Sequence, residues 1–60
     1  MLRLKEIREA KGVSRYQLAK KAGLQYRTIP AIENGGDVKL STLKRLADVL
    51  NISVKDLFAD

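Results

Sequence analysis

The side chains best equipped for chemistry in this chain are Arg15, Gln25, Tyr26, Arg27 and Asn34, all within residues 15–34. Guanidinium, carboxamide and phenol groups hydrogen-bond phosphates and base edges; they do not ordinarily make or break covalent bonds. Cysteine, histidine and tryptophan are absent. That excludes a disulfide scaffold, a zinc finger or knuckle, and any Cys/His or Ser/His catalytic pair. Among the seven acids, Glu6 and Glu9 share a helix face but have no evident cleft. No enzyme activity, cofactor or metal is expected.

Charge points the same way. Twelve Lys+Arg against seven Asp+Glu leave +5. Residues 1–30 hold eight cations and two acids, and residues 31–60 hold four cations and five acids, so the halves carry +6 and −1. A one-sided basic field attracts polyanions and speeds encounter with them, although lysine also serves simply as solvated surface. Sixty residues make one domain, 1–60, only marginally stable by size. The 45% hydrophobic content is that of a globular chain. No apolar run is long enough for a membrane span or secretory segment, so the expectation is a cytoplasmic protein with no membrane partner. At this length neither a ligand-sensing domain nor a small-molecule ligand is expected.

The elements that must position these residues have helical periodicity. Leu4, Ile7 and Ala10 share a face of a helix of roughly residues 2–11, stopped by Gly12. Ser14 with Gln17 forms a capping box for a second helix whose inner face is Leu18, Ala19 and Ala22 and whose end is Gly23. A third segment runs around Tyr26–Asn34, with Ile29 and Ile32 inward and Asn34-Gly35-Gly36 as its stop. Leu40, Leu43, Leu46, Ala47 and Leu50 define a helix over 40–50. Ser53 with Asp56 caps a terminal turn of helix carrying Leu57 and Phe58. No segment alternates with period two. The expected fold is all-α, a compact bundle of five helices.

Within this frame, Arg15–Asn34 has the pattern of two short helices crossing steeply at a tight turn. Gly23 can take positive φ there, Leu18, Ala22, Leu24, Ile29 and Ile32 meet between the helices, and Ala19 is small where backbones approach. The runs Ser14-Arg15-Tyr16-Gln17-Leu18-Ala19, Ala22-Gly23-Leu24, Thr28-Ile29 and Ile32-Glu33-Asn34-Gly35 resemble the Cro/repressor-type (XRE) helix-turn-helix family. Leu43, Leu46-Ala47, Leu50, Ile52-Ser53 and Asp56-Leu57-Phe58 extend the likeness over essentially the whole chain. The resemblance implies a five-helix lambda-repressor-like domain binding double-stranded DNA, with the second and third helices as reading unit. Members are transcriptional repressors or activators, usually homodimers on palindromic operators; repressor is the favoured sign here.

Helical phase suggests which side chains face the duplex. With Ile29 and Ile32 inward, the opposite side of the third segment carries Arg27, Asn34, Ala31 and Pro30. Arg27 is the only cation among them, and its fork fits guanine O6 and N7 together. Arg27 is therefore the expected base reader. Gln25 could pair with adenine, while Tyr26 could bond phosphate, pack on sugar or simply fill surface. Pro30 and Ala31 offer apolar surface suited to a thymine methyl. Arg15 stands where the resembled family usually carries a backbone-touching glutamine, and Asn34 matches a phosphate-contacting position of some relatives. Lys39 and Lys44 are further candidate backbone contacts, each also readable as solvated surface. Lys20 and Lys21 lie toward the far side. Arg8 and Glu33 flank the apolar stripes of their helices and match positions that form a partly buried ion pair in that family, a structural role.

Pro30 is the departure from the pattern. Inside a helix, proline deletes a hydrogen bond and strains the preceding turn, and Gln25 is a poor N-cap. Either the helix starts near Tyr26 and distorts at Pro30, or it starts at Thr28 with Pro30 in the first turn. The first is favoured because Ile29 must reach the core; the second would weaken the assignment of Arg27. A competing function is a protein-interaction module of the same fold, such as an antitoxin or anti-regulator, using Leu57-Phe58 if exposed, though burial of that pair is favoured. RNA stacking is disfavoured with only three aromatic residues.

Overall fold

The computed structural model describes residues 2–58. Among them are four α-helices, α1 (Leu4–Ala10), α2 (Arg15–Ala22), α3 (Thr28–Glu33) and α4 (Leu40–Leu50), followed by a 3-10 turn, Val54–Leu57. The expected count of five helices is thus corrected to four plus that turn. Four residues suffice for a single i→i+3 turn, and Phe58 already has extended dihedrals. The first helix is also shorter than expected. Leu2 forms an isolated antiparallel bridge with Phe58, and the Arg3 N–H donates to the Leu57 carbonyl at 2.7 Å. Those bonds tie Leu2 and Arg3 to the far end of the described chain, with Arg3 as the N-cap and the helix beginning at Leu4.

Local signals set the remaining boundaries. The Ser14 hydroxyl accepts from the Gln17 N–H, and the Ser14 N–H donates to the Gln17 side chain, both at 3.0 Å. This reciprocal pair satisfies two of the donors a helix start leaves unpaired. At the far end Gly23 is left-handed (φ 72°), which lets the Leu24 N–H return to the Ala19 carbonyl at 2.9 Å. The chain is thereby turned sharply into α3. Asn51 ends α4 in the same left-handed conformation.

Leu4, Leu18, Ile29, Leu46, Leu50 and Leu57 are fully buried, contributed by every helix and the 3-10 turn. Each such side chain stabilises the fold by about 1.5–3 kcal/mol relative to an exposed one. α2 is the central element, packing on both α3 and α4, while α1 packs on α3 and the 3-10 turn on α4. Leu57 is buried, whereas Phe58 is 46% exposed, so the two residues treated together in the sequence part company.

The third helix begins at Thr28, not near Tyr26, and Pro30 falls in its first turn. Before it, the Thr28 and Ile29 N–H groups donate to the Gln25 and Tyr26 carbonyls, i→i+3 bonds of a tight turn. The Tyr26 carbonyl, which an α-helix would aim at residue 30, is used by Ile29 instead. The missing N–H of Pro30 therefore falls among donors that a first turn leaves unpaired. Ile29 is nevertheless fully buried; the turn carries it inward without a longer helix. Beyond α3, the Gly36 N–H donates to the Ala31 carbonyl at 2.9 Å. A Cβ on Gly36 would lie 2.8 Å from that same oxygen. Gly36→Ala is expected to force the loop off the end of α3 and destabilise by about 1–3 kcal/mol, the range for overpacking a close contact. In a domain of this size that is a drop in Tm of roughly 5–20 °C, readable by thermal circular dichroism.

Candidate nucleic-acid interface

α1, the start of α2 and the end of α3 meet around one carboxylate. Glu33 closes α3, and its side chain is only 1% exposed. Its Oε2 accepts from the Arg8 Nε at 2.7 Å, and its Oε1 accepts from the Arg15 Nε at 3.0 Å. Arg8 also donates through Nη1 to the Val13 carbonyl at 2.9 Å and is itself buried. One acid thus joins α1, α2 and α3. Among the described residues no buried side-chain polar atom lacks a hydrogen-bond partner.

The electrostatics follow from this pairing. Burial alone would push the Glu33 carboxyl upward, but the hydrogen bonds from Arg8 and Arg15 outweigh it and hold the group below the ordinary carboxylate value. The Arg15 guanidinium is raised in turn, mainly through its hydrogen bond to Glu33, with Tyr26 adding a smaller effect. Arg8, Arg15 and Glu33 together carry +1, and the Glu9 carboxylate stands 3.9 Å from the Arg8 Nη2. In front of it lies a shallow cleft of about 400 Å³ whose walls carry Lys5, Arg8 and Arg15 together with Ser14, Tyr16 and Tyr26. Glu9 is the acid on its rim.

The residues singled out from sequence fall into three places. Arg15, half-buried, and Tyr26, exposed, line this cleft. Arg27, Gln25, Ala31 and Asn34 are exposed along the start and outer side of α3, with Pro30 half-buried among them. Arg27 caps α3 with helical dihedrals (φ −62°, ψ −17°), so the phase that turns it away from Ile29 and Ile32 survives the late helix start. Its Nε donates to the Gln25 side-chain oxygen at 3.3 Å, which brings the two candidate base readers together. Lys39 and Lys44 are exposed at and just inside the start of α4, on a separate element. Lys20 lies over the Tyr16 ring, 5.9 Å from its centroid.

Sequence reading missed two features. The bond from Arg15 to Glu33 has no local signal, because the residues are 18 apart on different helices. Lys5 joins the cleft only because α1 lies beside the start of α2.

This geometry defines a helix-turn-helix unit. A sequence model of the helix-turn-helix family matches residues 4–57, and the chain belongs to the XRE-type branch of that family. A curated relative, an uncharacterized HTH-type transcriptional regulator RghRB of Bacillus subtilis, is 41% identical over 58 residues. The match covers 93% of this chain but 42% of that protein, so the chain spans less than half the relative's length. Among solved structures, the restriction-modification controller protein C.AhdI of Aeromonas hydrophila superposes with a TM-score of 0.90 at 38% identity, covering 93% of this chain and 86% of that one. The biofilm regulator SinR in complex with DNA superposes at 0.82 with 33% identity, covering 88% and 87% of the two chains. No described helix is long and apolar enough to cross a membrane.

Removing Arg8 leaves Glu33 buried with one partner instead of two. Breaking a buried pair outright costs about 3–5 kcal/mol; with Arg15 still in place, Arg8→Ala is expected to cost about 2–3 kcal/mol and to lower the Tm measurably. A variant as stable as the wild type but defective only in DNA binding would contradict the structural role. Glu33 also shapes acid stability. A carboxyl held lower in the folded than in the unfolded chain stabilises fully above its unfolded value, about 4.3, and that contribution fades as pH falls through the lower folded value. Glu33→Gln should therefore flatten the loss of stability below about pH 4 in urea titrations at stepped pH. A residual slope from Asp56, lowered by its hydrogen bonds from Ser53, should remain.

Proposed function

We propose that this chain is the DNA-binding part of a transcriptional regulator, a repressor acting as a homodimer on a palindromic operator. The observation that carries this reading is the exposed Gln25–Tyr26–Arg27 turn and outer face of α3 beside the cationic start of α2. A major groove is wide enough for a helix, and the first residues of a recognition helix are those that reach base edges. In this reading Arg27 bonds guanine, Gln25 bonds adenine, and Pro30 and Ala31 pack on thymine methyls. Arg15, Asn34, Lys39 and Lys44 hold the sugar-phosphate backbone, with Tyr26 at the boundary between the two sets. The regulators named above, one of them in complex with DNA, support the assignment by likeness of fold and sequence. The mechanism is steric occupation of the operator, without a cofactor and without catalysis, in the cytoplasm.

Selection of bound duplexes from a randomised library tests the reading. The expected product is a palindrome whose half-sites lie about 10–11 base pairs apart, one helical turn. Arg27→Ala should erase one guanine preference per half-site and weaken binding by about 1–3 kcal/mol. Three backbone cations per subunit predict a slope of log affinity against log salt of roughly −3 per subunit.

The exposed Leu40 and Phe58, which flank an apolar groove with Val38 and Leu43, favour one alternative, a protein-interaction module. The same titration separates the two, because an apolar interface barely responds to salt.

A further inference from the structure

Resting on the duplex-DNA reading above, we propose that Glu33 is a positioning residue. It holds Arg15 by the Nε, so that the terminal guanidinium nitrogens are presented to one backbone phosphate. The bond from Arg15 to Glu33 uses the inner nitrogen of the guanidinium, at 3.0 Å. Bidentate contact with a phosphate can use the two terminal nitrogens, so both partners can be held at once. Glu33 is a firm anchor because its other oxygen is taken by the buried Arg8 and its side chain is 1% exposed. Arg15 itself keeps 38% of its side chain in solvent, which leaves it reachable by a ligand.

A free arginine must give up its rotamer freedom on binding, whereas one already fixed has little left to lose. Glu33 thereby ties the reading helix to the backbone contact: α3 and the clamp on α2 share one carboxylate, so their relative register on the duplex is preset.

The two electrostatic effects of Glu33 oppose one another, which makes the proposal decidable by sign. As a bare negative charge near DNA, Glu33 should weaken binding, and its neutralisation should tighten it. As the residue that orders Arg15, its loss should weaken binding.

The experiment measures affinity by fluorescence anisotropy for the library-selected duplex and for a random-sequence duplex of equal length. It compares the wild type, Arg15→Lys, Glu33→Gln and the double variant, each at a temperature where circular dichroism reports a folded chain. Lysine keeps the charge but cannot hold Glu33 with one nitrogen while offering two others. Arg15→Lys is therefore expected to bind the selected duplex about tenfold more weakly, with an unchanged salt slope and a nearly unchanged Tm. Glu33→Gln should weaken specific binding about five- to tenfold in the wild-type background and add little in the Arg15→Lys background.

Arg15→Lys binding as tightly as wild type, or Glu33→Gln binding more tightly, overturns the proposal. So does an equal cost of Glu33→Gln in both backgrounds, which would mark a merely structural effect. If Glu33→Gln does not fold, Arg15→Lys decides alone. A wild-type chain that binds neither duplex overturns the DNA reading itself, and this inference with it.

Discussion

The arrangement of the reading unit depends on a single buried carboxylate. Glu33 brings a negative charge to a place where water cannot solvate it, and an isolated charge there would cost several kcal/mol. Two arginines answer it, Arg8 from α1 and Arg15 from α2. Buried ion pairs of this kind add little net stability over a well-packed apolar core, because desolvation offsets most of the attraction. What they do impose is geometry. Apolar side chains tolerate sliding by an ångström, whereas hydrogen bonds of 2.7 and 3.0 Å with directional donors do not. The angle between α2 and α3 is therefore held from the outside by the carboxylate cluster and from the inside by Leu18, Ala19, Ile29 and Ile32.

The short α3 is possible only in that setting. Six residues cannot sustain an isolated helix, and proline in the first turn removes no bond because the Tyr26 carbonyl four residues before it is already taken by the Ile29 N–H. The late start frees Gln25, Tyr26 and Arg27 from regular structure. They project from a tight turn that is braced by Leu24 below and by the Gln25 and Tyr26 carbonyls within. An irregular start to the recognition element thus leaves three polar side chains exposed next to one another. At the other end, the Gly36 contact with the Ala31 carbonyl fastens the loop against α3 and orients the start of α4, where Lys39 and Lys44 lie.

Stability on the opposite side comes from burial rather than from ion pairs. α4 contributes Leu43, Leu46, Ala47 and Leu50 to the core, and the 3-10 turn adds Leu57. The Leu2–Phe58 bridge and the Arg3–Leu57 hydrogen bond draw the two ends of the described chain together behind them. Charge and apolar packing are segregated accordingly: most cations lie in the half that holds α1 and α2, and α4 and the 3-10 turn mainly supply core.

Much of this was legible in the residues themselves, wherever the determinants are local. Helical periodicity, the Ser14–Gln17 box, Gly23 and Asn34-Gly35-Gly36 set element positions because each acts through bonds within a few residues. Residue types alone marked Arg27 and Gln25 as hydrogen-bonding groups suited to base edges, since that property belongs to the side chain and not to its surroundings. The extent of α1 and α3 was not legible. A pairing with Phe58 at the far end of the chain shortens the first, and the Tyr26 carbonyl, bonded by the Ile29 N–H while Pro30 has none to offer, sets the start of the third. Nor was the second partner of Glu33, because no spacing rule brings residues 15 and 33 together; only the crossing of α2 over α3 does so. Sequence by itself determined which side chains could meet a polyanion and on which helical face they stand. The tertiary structure decided which of them are held in place, because a fixed guanidinium needs an anchor from another element, and only the packed fold supplies one.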